Sequence, residues 1–314
     1  MTTPPATNPT TPSGAAPTGT TTSGAETIGT KPSGAGSTSA ARAGADQRVR
    51  FRLIRGELTR IAAVRLHRWA ALAAVVCGGG LTGLLSVIGP ENATPPMPGI
   101  DTPEGAALVV GITGVLLFVP ALIGAIGIAG EYRHRTIATT FLAEPRRGRV
   151  LTAKLVVYAA LGLAYGVIAS LTSAIALLAA AAVRGVDLTI PAGDLITLLI
   201  RLAVAAAAYT ILGVAIGALA GHQLVAVGII VGYFYFLEYI LLVVPGINTI
   251  YPYLPGGATA ALTDFSFITS TIAEQTAAPG PGLLPAAAGA AVLLAYAAAA
   301  ATTAALLPLR RDIT

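Results

Sequence analysis

The chain has 314 residues, of which 54% are hydrophobic and only 11% charged, with a formal net charge of +5. Soluble domains carry about 25% charged residues, so most of this surface is excluded from facing water. A single cysteine, Cys77, rules out a disulfide framework or a cysteine metal site; lying in an apolar run, it reads as a small buried hydrophobe.

Residues 1–46 are almost entirely Thr, Ser, Pro, Gly and Ala, with Glu26, Lys31, Arg42 and Asp46 the only charges. So little apolar surface cannot offset the entropy of ordering, which predicts a disordered tail. It lacks the apolar core of a secretory signal, so it is expected to be cytoplasmic. Over 47–68 the pattern changes. Phe51, Ile54, Leu58, Ile61 and Ala62 recur at three- and four-residue steps with Arg55 and Arg60 between them. That is an amphipathic helix with a basic face, suited to an anionic membrane surface. It is either a juxtamembrane anchor or a lever that also touches a cytoplasmic partner.

The remainder, 69–314, holds six apolar stretches near the roughly 20 residues a spanning helix needs. They run Trp69–Ile88, Ala106–Ala129, Leu155–Val183, Leu199–Leu219, Leu224–Val244 and Leu283–Leu307. Trp69 falls where an interfacial aromatic is expected. The third is long enough to tilt or protrude. The sixth is mostly Ala and is expected inside the bundle. Gly79/Gly83, Gly162/Gly166, Gly213/Gly217 and Gly228/Gly232 are spaced for close helix approach, within the bundle or between protomers.

Basic residues set the orientation. Seventeen of the nineteen Lys and Arg lie before the first span, between the second and third, or after the sixth; only Arg184 and Arg201 fall on the other side. The positive-inside rule makes the first side cytoplasmic. The predicted fold is therefore an all-α integral membrane protein of six transmembrane helices, both termini cytoplasmic, with an amphipathic helix before the first span.

Motifs for soluble catalysis are missing. There is no G-x-x-x-x-G-K-[ST] phosphate loop, and the only lysines are Lys31 and Lys154. His67, His134 and His222 lack metal-ligand spacing, and no G-x-S-x-G elbow is present. The chain is expected not to be an enzyme and to hold no cofactor or metal.

The loop Gly130–Leu155, GEYRHRTIATTFLAEPRRGRVLTAKL, is the most informative segment. Ile137, Phe141 and Leu142 would share one face of a short helix that Pro145 stops. Such a helix suits docking into a protein groove; the other reading is a basic loop that only enforces orientation. Glu238 is the one acid well inside an apolar run, where a charge is costly. It faces a translocation path, makes a structural hydrogen bond with Tyr235, Tyr239 or a neighbouring helix, or reaches solvent at the outer surface. The aromatics Tyr233, Phe234, Tyr235, Phe236 and Tyr239 favour core packing over contact with an apolar substrate. Tyr251–Leu262, rich in Pro and Gly, reads as a short re-entrant helix that protein must cover.

Glu131, Arg133, Thr136, Ile137, Leu142, Pro145, Arg147 and Lys154 form E-x-R-x-x-T-I, then L-x-x-P-x-R and a Lys opening the next span. This pattern resembles the permease subunits of type-2 ABC exporters. The likeness continues in GYFYFLEYILLVVP around Glu238, in YLPGGATAAL at Tyr253–Leu262 and in the closing Arg310-Arg311-Asp312. It covers about residues 50–314; His134 and the long tail depart from it. The resemblance implies a subunit that binds no ATP itself and works with a cytoplasmic ABC ATPase. It further implies a homodimer, or pairing with a second permease, in the cell membrane, with no nucleic-acid partner. The coupling loop would comprise Glu131, Tyr132, Arg133, Thr136, Ile137, Phe141, Pro145, Arg147 and Lys154. Within it, Glu131 and Arg133 would make polar contacts to the ATPase, with Ile137 and Phe141 as apolar anchors. Glu238, Tyr235 and Tyr239 would line the path, and the apolar spans suit a lipid-like or drug-like substrate. The rival classes are an ion-gradient-driven secondary transporter or channel, and a non-transporting membrane scaffold.

Overall fold

A computed structural model describes residues 54–59, 65–94, 96–133, 147–276 and 280–306. All fall within one compact unit, Asp46–Thr314; the other, Met1–Ala45, contains nearly all of the expected tail and lies outside the described residues. Among the described residues there is no strand. Six helices are long and apolar enough to cross a membrane: Arg68–Ile88, Pro103–Glu131, Thr152–Arg184, Ala192–Ala220, Gln223–Val243 and Ala286–Ala304. The chain is an all-α, multi-pass membrane protein.

The boundaries depart from the apolar runs for identifiable reasons. The fourth span begins at Ala192, seven residues before the expected Leu199. Pro191 is extended (φ −60°, ψ 136°) and Asp194 sits in the first turn, where a negative charge favours helix initiation. The third span belongs to a continuous 38-residue helix, Arg147–Arg184, about 57 Å long at 1.5 Å per residue. It outruns a roughly 30 Å hydrocarbon core.

The fourth span is the core of the bundle, with 72% of its apolar window buried. Small residues make this possible. A Cβ on Gly213 would overlap the Ala121 carbonyl of the second span, and one on Gly162 would overlap the Thr210 hydroxyl. The Gly79/Gly83 pair packs on Thr172 and Ala176 of the third span, whereas Gly228 and Gly232 have nothing within 4 Å. A polar knot crosses three spans where Thr82 Oγ1 meets Ser173 Oγ at 2.7 Å and Thr113 donates to the same serine at 3.4 Å. In an apolar setting such hydroxyls favour one another over lipid.

The sixth span corrects an expectation. Only 17% of its window is buried, so Ala content did not place it inside the bundle. Its inward face, Gly289, Leu293, Ala297 and Ala304, packs closely on neighbouring helices. Small side chains permit that approach on one side, but among the described residues no further element covers the other. Cys77 is half-buried rather than fully buried.

Between the fifth and sixth spans the backbone makes a 3-10 turn, Asn248–Tyr253, then two short helices, Pro255–Thr263 and Phe267–Thr276. The first lies where the sequence reads as a short re-entrant helix. Pro255 opens it at a position where a missing N–H costs nothing, and every residue from Gly257 to Thr263 is buried. Asp264 ends it in the left-handed conformation (φ 56°). Protein therefore encloses this irregular stretch.

Candidate functional site

Among the described residues two places hold buried charge, one near each end of the bundle. At the first, Glu131 closes the second span and Lys154 lies just inside the third. Both are buried. Lys154 Nζ donates to Glu131 Oε1 at 2.7 Å and to Glu57 Oε1 at 2.7 Å. Glu57 comes from the helical segment 54–59, where it and Ile54 are half-buried while Leu58 is exposed. The segment thus turns an acid toward the protein and an apolar side chain away from it. One lysine ties together the chain before the first span and the bases of spans two and three. An ion pair at this depth is held by geometry, and removing one member strands the other's charge.

This junction alters the reading of Glu131, whose carboxylate faces Lys154 rather than solvent. Tyr132 and Arg133 continue the helix Phe118–Arg133, and Arg147 opens the next. Thr136, Ile137, Phe141 and Pro145, with the short helix expected around them, lie outside the described residues. Sequence reasoning missed Glu57. Its signal was an acid at the three-residue step from Ile54, beside the apolar face of the amphipathic pattern.

The second place is built on Glu238, buried in the fifth span. The preceding turn, Gly232–Leu237, is a π-helix, and the Glu238 N–H bonds the Tyr233 carbonyl five residues back. This stacks Tyr233 beneath Glu238, and its phenol is a polar partner of the carboxylate. Gly256 N–H donates to Glu238 Oε1 at 3.1 Å. Gly256 is the second residue of the re-entrant helix, whose capping residue, Leu254, offers no side-chain acceptor. The Glu238 carboxylate supplies it from another helix and meets the positive end of the helix dipole. A Cβ on Gly256 would overlap Glu238 Oε2, so only glycine allows this approach.

Glu238 also borders a cavity of about 60 Å³ lined by Phe118, Tyr209, Phe234, Tyr235, Tyr239 and Thr259, among others. That is room for roughly four to six waters at 10–15 Å³ each. The Thr259 hydroxyl lies within hydrogen-bond reach of two oxygens, the Pro255 carbonyl at 2.8 Å and the Tyr209 hydroxyl at 3.2 Å. Phe118 and Tyr235 meet edge to face with centroids 4.8 Å apart. Outside the spans, burial and then the Glu238 charge push the Tyr251 phenol above its ordinary value. The aromatic cluster divides. Phe234 packs on Tyr209 at 5.0 Å, Tyr235 and Tyr239 border the cavity, and Phe236 is exposed. Glu238 thus makes its structural hydrogen bond to a neighbouring helix and lines a cavity as well.

Among the described residues no group of three or more His, Cys, Asp or Glu could hold a metal ion. Neither a family model nor a curated protein matches the chain.

Proposed function

We propose that this chain is the permease subunit of a type-2 ABC exporter, taking its motion from a separate ATPase. The observation that carries the reading is the Glu57–Lys154–Glu131 junction. The E-x-R-x-x-T-I loop follows from Glu131, and Lys154 closes it, so a push on that loop would reach the segment before the first span through one shared lysine. Glu131 then serves as an internal strut. Contact with the ATPase falls to Arg133 and to the loop 134–146. The positive-inside rule supports a cytoplasmic location for this end and for both termini. Six spans would supply one half of such a transporter, as a homodimer or beside a second permease, in the cell membrane. The substrate would be lipid-like or drug-like.

The reading frames beside this chain are expected to encode a Walker-type ATPase. Co-expressed with the full chain, it should co-purify, and vesicles holding both should transport only with ATP. Arg133→Ala and Phe141→Ala should release it. Transport by the chain alone in vesicles would defeat the proposal. One observation favours the rival ion-driven carrier, namely an acid buried in a span beside a cavity. On that reading Glu238→Gln would abolish transport that needs no ATPase.

A further inference from the structure

We infer that the Glu238 cavity is a binding site for the head of a monovalent organic cation, of the quaternary ammonium class. The inference goes beyond the exporter reading and does not rest on it. Glu238 is buried, and no Lys or Arg among the described residues pairs with it. Its polar partners are one backbone N–H and one phenol, neither of which carries a charge. A carboxylate in a membrane interior is costly unless its charge is matched, and a single carboxylate matches a single positive charge.

The walls narrow the class. Phe118, Phe234, Tyr235, Tyr239 and Phe265 border the same space, and aromatic rings attract cations that shed water easily. A bare metal ion needs a cage of oxygen or nitrogen ligands, and this cavity offers one carboxylate and a few hydroxyls. Its volume, about 60 Å³, is in the range of a few methyl groups around one nitrogen. Phe118, Tyr235 and Ile268 are among the lining residues that reach the surface, and Tyr235 is exposed. A head group passing the Phe118–Tyr235 pair could leave an apolar tail outside.

The test uses the full chain in lipid nanodiscs, titrated calorimetrically with choline and with its uncharged carbon analogue, 3,3-dimethylbutan-1-ol. Choline should bind saturably, and the alcohol at least about tenfold more weakly. Glu238→Gln keeps an oxygen for the Gly256 N–H and should weaken choline binding by at least about tenfold. Should that variant melt early, Tyr235→Leu at the exposed rim carries the test, with an expected loss of about threefold or more. Equal binding of choline and the alcohol, or no saturable choline binding, overturns the inference. So does unchanged affinity in a folded Glu238→Gln or in Tyr235→Leu.

Discussion

Replacing Lys154 by Met should be among the most damaging single changes available at the Glu131 end of the bundle. Each Lys154–carboxylate contact is 2.7 Å, worth about 6 kcal/mol in gross Coulomb energy at an effective dielectric of about 20. Most of that offsets the cost of taking the ions out of water. Once the lysine is gone the offset vanishes while Glu131, 2% exposed, stays where it is. The expected loss is therefore about 3–5 kcal/mol. Glu57→Gln removes the more solvated partner, with 12% of its side chain exposed, and should cost roughly 1–2 kcal/mol. The double change Lys154→Met with Glu131→Gln should recover part of the loss, because the buried carboxylate is no longer charged. Denaturation of the purified chain in mixed detergent micelles measures all four proteins. If Lys154→Met lies within about 1 kcal/mol of the parent, as an exposed pair would, the junction is not a neutralised buried cluster and the strut argument falls with it.

Gly213→Ala should destabilise by roughly 1–3 kcal/mol because its Cβ overlaps backbone of the second span. Gly228→Ala should be neutral or slightly stabilising in the same melt, since nothing lies within 4 Å; a loss there would locate a contact with another protomer. Ser173→Ala removes the oxygen shared by Thr82 and Thr113 and should cost about 1 kcal/mol. A hydrogen bond from its own backbone and then Arg184 hold the Glu91 carboxyl below its ordinary value. Its stabilising effect is present above the unfolded carboxylate pKa and is lost as pH falls through the lower folded value. Acid titration of the melting temperature should therefore show a step that Glu91→Gln removes.

Apolar runs of spanning length disclosed all six spans because lipid imposes that requirement residue by residue. They did not disclose where helix hydrogen bonding starts, so the first two turns of the fourth span, Ala192–Leu198 with Asp194 in them, were missed. Nor did they show which spans lie inside, since Ala is compatible with either place. Glu131, Lys154 and Glu238 stood out as charges beside or within apolar sequence. Their partners did not. Glu57 is 97 residues from Lys154, and the group that meets Glu238 is a backbone N–H, which every residue but proline possesses. The glycine at 256 was visible, yet its reason is a close approach that exists only after two helices have packed.

The wide turn at Gly232–Leu237 decides which way the acid points. Ala226, Ile230, Glu238 and Leu242 are buried, positions separated by multiples of four. In a regular α-helix that spacing would drift by about 160° between Ala226 and Leu242. One surplus residue in the turn reduces the drift to about 60° and keeps both halves of the span in phase with one interior. Wound as a regular α-helix, the same residues would be just as apolar and just as able to span. The carboxylate would then swing about 100° around the axis, off the re-entrant helix and toward the hydrocarbon.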